Sequence, residues 1–448
     1  MSNPPRGERK KRRGLPLWLI LTSIGGTFLA AIILGGLESQ GRFTGQPEVA
    51  VVAAPRPEPA APAEPELDKK ALAEIIGSRP IETDDNQILE ISDRNGQKLF
   101  VRTTIMPRLQ SRATEWVNNS RANQAAVVAL RPETGEVLAL AGYRADGGDR
   151  NAALTGSFPA ASLFKIVTAA AAVEKADFSA DTTVAYDGGK HTLFKGNVVK
   201  EPDQGRNAAT LKEGFAESIN TVFGKMGAFT LGPEELAEFA GRFGFNSDIE
   251  FEMPVESSTF ALDDEEDLFS IAELASGFNR STRVSPLHGA MMASAVVSGG
   301  LLREPTFVSE VFDRENHIYY QARLTEPTQA VSAATAGELS ALMIAAVKEG
   351  TGRRTFHNAG AHPVLSKLVI GGKSGTINND DGEKVDWFVA WAKPLNGQGD
   401  ENDTLAVSAV VVHDGVTNVT SQQLVREALA AYYRGRVEGT EEKRKTAG

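Results

Sequence analysis

No cysteine occurs anywhere in the 448 residues. The chain therefore has no disulfide framework, no thiol nucleophile and no thiolate-bound metal. Its six histidines show no metal-ligand spacing. Lys and Arg total 47 against 58 Asp and Glu, a formal net charge of −11. The part expected to fold offers no basic stripe, which argues against nucleic acid as its partner. No internal repeat is found.

What is present begins with one long apolar run. Leu15–Leu37 carries no charged residue and follows Arg6, Arg9, Lys10, Lys11, Arg12 and Arg13. As a helix it would extend about 34 Å, enough for a hydrocarbon core about 30 Å thick. A cleaved signal peptide has a shorter run and a small-residue cleavage site, and no convincing Ala-x-Ala site follows here. The cationic flank precedes the run and only Arg42 comes soon after it, which places the N-terminus in the cytoplasm. The expected order is a basic cytoplasmic tail over 1–14, a single-pass transmembrane anchor over 15–37 and a linker over 38–66. That linker has prolines at 47, 55, 57, 59, 62 and 65 among Ala and Glu. Such composition stays extended at about 3 Å per residue and buries nothing.

After the linker, Leu67–Ile76 is predicted to form a short helix within an N-terminal extension over 67–98. Ile88–Ile91 and Leu99–Thr104 flank Asp93-Arg94-Asn95-Gly96, the signature of a hairpin. Ile105–Asn119 is predicted helical, with Leu109, Ala113, Trp116 and Val117 on one face. Ala125–Leu130 and Val137–Ala141 make a second hairpin around Pro132-Glu133-Thr134-Gly135. Leu211–Phe229, Pro233–Phe243, Leu287–Ser298 and Thr335–Glu349 read as helices. The last third turns to strands at Lys367–Gly372, Asp386–Ala392 and Leu405–His413, closed by a helix over Thr420–Tyr433. Antiparallel strands with helical mass inserted before them imply an α+β domain, a sheet packed against helices. Asp263–Asp267 reads as a solvated acidic turn, and 435–448 as a polar, disordered tail.

The stretch with the most chemical content is Phe158–Glu174, FPAASLFKIVTAAAAVE. A helix apolar on every side is a buried one, and Pro159 fits its first turn. Ser162 and Lys165 are three residues apart, which on a helix puts them on one face. A buried lysine is costly unless paired or neutral, and a neutral one is a base within reach of a serine hydroxyl. A lone Ser-x-x-Lys is more often an ordinary early-helix serine with a lysine reaching for solvent. Here it is the single Ser-x-x-Lys in the chain, and two further singletons follow it, Ser218-Ile219-Asn220 and Lys373-Ser374-Gly375. Alone, the second is usually a turn or helix-end pair and the third a strand end. Together, in this order, they are the set that serves serine penicillin-recognising enzymes.

On these three motifs the chain resembles the penicillin-binding transpeptidase domain family. The likeness runs from about Leu99 to Tyr433, a domain placed at 99–434. It includes VRTTIMPRLQ and AAVVALRPETGEVLALAG within Val101–Gly142, VSPLHGAMMASAVVSGG at Val284–Gly300, Gly350-Thr351-Gly352 and Trp387-Phe388-Val389. The family's Gly-Gln-Gly ahead of the Pro-Leu turn is replaced by Ser276-Gly277-Phe278-Asn279. The segment between anchor and domain is also short for the family's large pedestal.

The resemblance implies a transpeptidase and serine β-lactamase-like fold with an all-helical subdomain, and no cofactor or metal. It implies that Ser162 attacks a D-Ala-D-Ala stem peptide, with Lys165 as base and Ser218 relaying a proton to the leaving amine. Asn220 would hold Lys165 and the substrate amide, and Lys373 would supply positive field. Ser374, Gly375 and Thr376 would bind the peptide and its carboxylate, while the N–H groups of Ser162 and Thr376 form the oxyanion hole. The implied partners are the peptidoglycan stem peptide, β-lactams, the membrane, and a glycosyltransferase or the division or elongation machinery. The implied place is the bacterial inner membrane, with the catalytic domain in the periplasm. Competing expectations are a D,D-carboxypeptidase, a class D-like β-lactamase (whose first motif shares the form Ser-x-Phe-Lys), or a non-catalytic penicillin sensor or scaffold.

Overall fold

The computed structural model describes residues 66–437, except 79–80, 82–86, 149–150, 199–200, 263–266, 397 and 401. The expected anchor, nearly all of the linker, most of the acidic turn and the tail beyond 437 lie outside these residues. Among the described residues no helix is long and apolar enough to cross a membrane.

The elements that position the site are helices α1 (Lys69–Ile76), α2 (Pro107–Asn118), α3 (Lys165–Lys175), α4 (Leu211–Ala216) and α5 (Asn220–Lys225). They continue as α6 (Gly232–Arg242), α7 (Leu268–Ser276), α8 (Pro286–Val297), α9 (Ala333–Lys348) and α10 (Ser421–Tyr433). The strands are β1 (Ile88–Ser92), β2 (Lys98–Thr103), β3 (Gln124–Leu130), β4 (Val137–Arg144), β5 (Val308–Phe312) and β6 (Ile318–Gln321). The last three are β7 (Leu368–Asn378), β8 (Lys384–Pro394) and β9 (Leu405–His413).

Among the described residues these strands form two antiparallel sheets of four or more strands. The larger has strand order β7-β8-β9-β3-β4, and the smaller β1-β2-β5-β6. Strands β3, β4 and β9 of the larger sheet are rich in Ala, Val and Leu because both faces of the sheet are buried there. Ala126, Val128 and Leu130 pack into a core shared with α3 and α8. Their alternates Ala125, Val127 and Ala129 pack with Leu109, Ala113 and Val117 of α2 and with Leu424, Val425 and Ala428 of α10. With period two, a one-residue slip of β3 would exchange the two layers, so its register is tightly specified. The smaller sheet joins the N-terminal hairpin to β5, with Val101 opposite Val311. The step from residue 98 to 99 falls at the start of β2, within that hairpin.

Two predicted helices break, both at the site. Phe158–Glu174 is not one helix. Phe158-Pro159 pairs with Arg283-Val284, residues 161–164 form a 3₁₀ turn, and regular helix starts only at Lys165. Ala161 has φ +49°, a left-handed conformation that costs an L residue about 1–2 kcal/mol. Contacts from distant segments hold it there: Ala160 N–H donates to the Thr282 carbonyl (2.9 Å), and Trp387 Nε1 to the Pro159 carbonyl (2.9 Å). Leu211–Phe229 is also interrupted. It divides into α4, a turn at Ser218, α5, and a π-helical stretch Met226–Leu231. Ser218 takes φ +55°; its N–H donates to Phe215 O, and Ile219 N–H donates to Gly214 O. That pair of bonds is a Schellman helix end, with serine in the left-handed position usually held by glycine.

Candidate active site

Three segments far apart in sequence meet at a cleft of about 400 Å³. The turn before α3 brings Ser162, the Schellman turn between α4 and α5 brings Ser218 and Asn220, and β7 brings Lys373–Thr376. Of the two glycines flanking the first turn, Gly277 has no room for a side chain and Gly375 has little. A Cβ on Gly277 would lie 1.8 Å from the Ala161 carbonyl oxygen, and one on Gly375 would lie 3.2 Å from the Ser162 nitrogen. The backbone that presents Ser162 is thus clasped between the end of α7 and the edge of the sheet.

Ser162 is half-buried, while Lys165 is fully buried. Lys165 Nζ lies 2.8 Å from Ser162 Oγ and 2.8 Å from Asn220 Oδ1, and it also donates to the Ser276 carbonyl. Burial, and secondarily the charge of Lys373, hold its pKa well below the ordinary lysine value. A neutral amine has two N–H groups and one lone pair. The carbonyls of Asn220 and Ser276 accept the two protons, which leaves the lone pair facing the Ser162 hydroxyl. Asn220 is itself fixed, since its Nδ2 donates to the His191 carbonyl (2.9 Å).

Lys373 is also fully buried, and burial lowers its pKa to about 7. Its Nζ donates to Ser218 Oγ (2.9 Å) and to the Ser374 carbonyl (2.9 Å). An aromatic face lies under each ammonium position, Phe223 at 5.6 Å from Lys165 and Phe215 at 5.4 Å from Lys373. Both rings favour a cation, yet the loss of water outweighs them. At its outer end the cleft is lined by hydroxyls. Ser374 Oγ and Thr351 Oγ1 are 2.6 Å apart, and Thr376 is exposed. Thr351 sits on the turn after α9, where its N–H donates to the Ala216 carbonyl (3.0 Å). Gln422, from the first turn of α10, donates to the Thr351 carbonyl (3.4 Å). Strand β7 is the outer strand of its sheet, so it presents a free edge beside Ser162.

A family model for the penicillin binding protein transpeptidase domain matches residues 125–429. The chain belongs to the penicillin-binding protein transpeptidase family. Among relatives of this transpeptidase-family chain, peptidoglycan D,D-transpeptidase PbpA of Mycolicibacterium smegmatis is 25% identical over 355 residues. That match covers 70% of this chain and 67% of the relative. Stage V sporulation protein D of Bacillus subtilis is 26% identical over 262 residues, which is 56% of this chain and 39% of that protein. The chain thus spans well under half the length of the sporulation protein. The crystal structure of the D,D-transpeptidase domain of a peptidoglycan glycosyltransferase from Eggerthella lenta superposes with a TM-score of 0.61 at 25% identity. It covers 75% of this chain and 82% of that one. The antiparallel-sheet-and-helix architecture is therefore the family's α+β fold.

Every residue singled out in the three motifs of this family member reaches the cleft or its floor. Sequence reasoning assigned no role to Thr351, noted only within Gly350-Thr351-Gly352, and missed four further contributors. The Ser276 carbonyl carries no residue-type signal at all. Gln422 stands just after a helix start, and His191 lies in a loop, so neither is distinguishable from its neighbours. Phe278 could have been found, because it stands where the family's Gly-Gln-Gly is interrupted. His288 is fully buried with Nε2 2.6 Å from the Phe243 carbonyl, and burial lowers its pKa to about 4.

Proposed function

We propose that this chain is a membrane-anchored serine D,D-transpeptidase that cross-links peptidoglycan stem peptides. The observation that carries the proposal is the buried, proton-poor Lys165 amine 2.8 Å from Ser162 Oγ. Ser162 loses its proton to Lys165 as Oγ bonds to the carbonyl carbon of the penultimate D-alanine. The N–H groups of Ser162 and Thr376 hold the oxyanion. The C–N bond then breaks, and the nitrogen takes a proton delivered through Ser218, which the Lys373 ammonium polarises. D-Alanine leaves, and an ester to Ser162 remains. The amine of a second stem peptide attacks that ester, forming the cross-link and returning the hydroxyl. Ser374 and Thr376 bind the donor's carboxylate, with Gly375 letting the strand close on Ser162, and β7 pairs with the extended donor peptide. A β-lactam follows the first half of this path, its ring amide opening onto Ser162.

Residues 15–37 serve as the anchor, with 1–14 in the cytoplasm and 38–66 spacing the domain from the inner membrane on the periplasmic side. The support here is the uncharged run and the cationic flank. The test is labelling of the full-length chain with a fluorescent penicillin, compared with Ser162→Ala and followed for hours. A stable adduct on wild type alone is the expected result. Rapid release with turnover would point to a β-lactamase or D,D-carboxypeptidase. Absence of label on folded wild type would leave a scaffold.

A further inference from the structure

Among the described residues that line the cleft, Phe278 is the one large apolar side chain; the others are Ser, Thr, Asn, Gln, His and Gly. It is 38% exposed. Its placement is enforced from both sides. Gly277, at φ +66°, ends α7 in a Schellman motif, with Gly277 N–H donating to Leu274 O and Phe278 N–H to Glu273 O (2.7 Å). In such a motif the residue after the glycine usually folds back onto the helix, whereas Phe278 faces the cleft. Asn279 is buried, and its Nδ2 donates to Ala261 O (3.1 Å), Ser281 Oγ (3.0 Å) and Thr282 Oγ1 (3.0 Å). An aromatic ring held between two anchored neighbours loses little conformational freedom when a ligand packs on it.

The position of Phe278 along the edge strand gives it a meaning. Thr351 meets β7 at Ser374, whereas Arg280, two residues beyond Phe278, donates from Nε to the Asn378 carbonyl (2.7 Å). The hydroxyl-lined end and the Phe278 end therefore face opposite ends of the segment from Ser374 to Asn378. A donor whose terminal carboxylate is held by Ser374 and Thr376, with Thr351 beside Ser374, and whose backbone follows β7, runs its acyl side towards Phe278. We infer that Phe278 is a specificity-determining residue, an apolar wall for the acyl-side group of the donor, favouring donors that carry aliphatic or aromatic bulk there. This rests on the acyl-enzyme chemistry proposed above.

The test compares two penicillins that share the ring and carboxylate. Benzylpenicillin carries an aromatic acyl side chain, and 6-aminopenicillanic acid carries only an amine in its place. Second-order acylation rates are measured on the full-length wild type, Phe278→Ala and Phe278→Leu. For Phe278→Ala, benzylpenicillin is expected to slow about tenfold while 6-aminopenicillanic acid stays within about twofold, with Phe278→Leu between. Equal slowing of both compounds would mean that Phe278 merely supports the serine turn, and unchanged rates would mean that it meets no ligand; either overturns the inference. Wild type that reacts with neither compound would remove the acyl-enzyme chemistry and this inference with it. Wild type that reacts while Phe278→Ala shows no selectivity would remove the inference alone.

Discussion

Lys373 offers the sharpest quantitative test, because its pKa falls from an ordinary 10.5 to about 7 through burial. The shift of about 3.5 units corresponds to about 5 kcal/mol at about 1.4 kcal/mol per unit. Below pH 7 both the folded and unfolded chains hold the proton. Between pH 7 and 10.5 the unfolded chain holds it while the folded chain does not, so folding releases a proton and stability rises with pH. At pH 7 the wild type consequently forgoes about 4 kcal/mol that it regains above pH 10.5. Replacing Lys373 by methionine, similar in length and uncharged, removes this dependence. It also loses the bonds to Ser218 and the Ser374 carbonyl, worth about 1 kcal/mol each. The net expectation at pH 7 is a variant about 1–3 kcal/mol more stable than wild type, yet unable to acylate. Urea unfolding at pH 7, 8, 9 and 10 would show wild type approaching and then overtaking the variant. Lys165 titrates against Lys373, so the crossing pH reports the pair and not one residue. A difference between the two proteins that stays flat across those pH values would refute the assignment of a buried, easily deprotonated Lys373.

Three further outcomes are expected. Asn220→Asp puts a carboxylate 2.8 Å from the Lys165 amine, which favours the ammonium; the pH at which penicillin acylation sets in should rise by about 1–3 units, read from pH–rate profiles. Gly277→Ala forces a Cβ to within 1.8 Å of the Ala161 carbonyl at φ +66°. It should cost more than about 2 kcal/mol in urea unfolding and abolish labelling, because the Ser162 turn must move. Thr351→Val removes the hydroxyl 2.6 Å from Ser374 Oγ and should slow acylation about tenfold; a penicillin methyl ester, lacking the carboxylate, should react equally with both proteins.

The β3–β4 hairpin and the strands β7, β8 and β9 were legible from apolar runs bounded by turns, whereas the pairing of β9 with β3, far apart in sequence, was not. Nor was the pairing of β5 and β6 with the N-terminal hairpin, since contacts spanning some two hundred residues leave no local pattern. The site divides the same way. Ser162, Lys165, Ser218, Asn220 and Lys373 were named from three ordered motifs and the family resemblance they carry, yet the local structure drawn for two of the segments was wrong. Helix propensity in PAASLFK and in LKEGFAESINTVF is strong, and each run is broken at one residue with positive φ, Ala161 and Ser218. No propensity scale asks alanine or serine to adopt that conformation. Distant groups impose it, Gly277 and Gly375 on the first turn and Lys373 on the second.

The broken helices also explain how one cleft can hold two lysines with depressed pKa values. In an unbroken helix each backbone carbonyl already accepts a bond along the axis and is less free to serve a side chain from another segment. At the end of α7, the Ser276 carbonyl is one of the groups that a helix leaves unpaired, and it accepts from Lys165. At the end of α4, the left-handed turn aims the Ser218 hydroxyl at Lys373 in place of packing it against the helix. Each amine thus finds neutral acceptors, carbonyls or a hydroxyl, and none of the partners described here is a carboxylate. A carboxylate would have raised both pKa values and silenced the base. Burial with neutral partners keeps Lys165 proton-poor, and that requirement places the serine between two helix ends and not on a continuous helix.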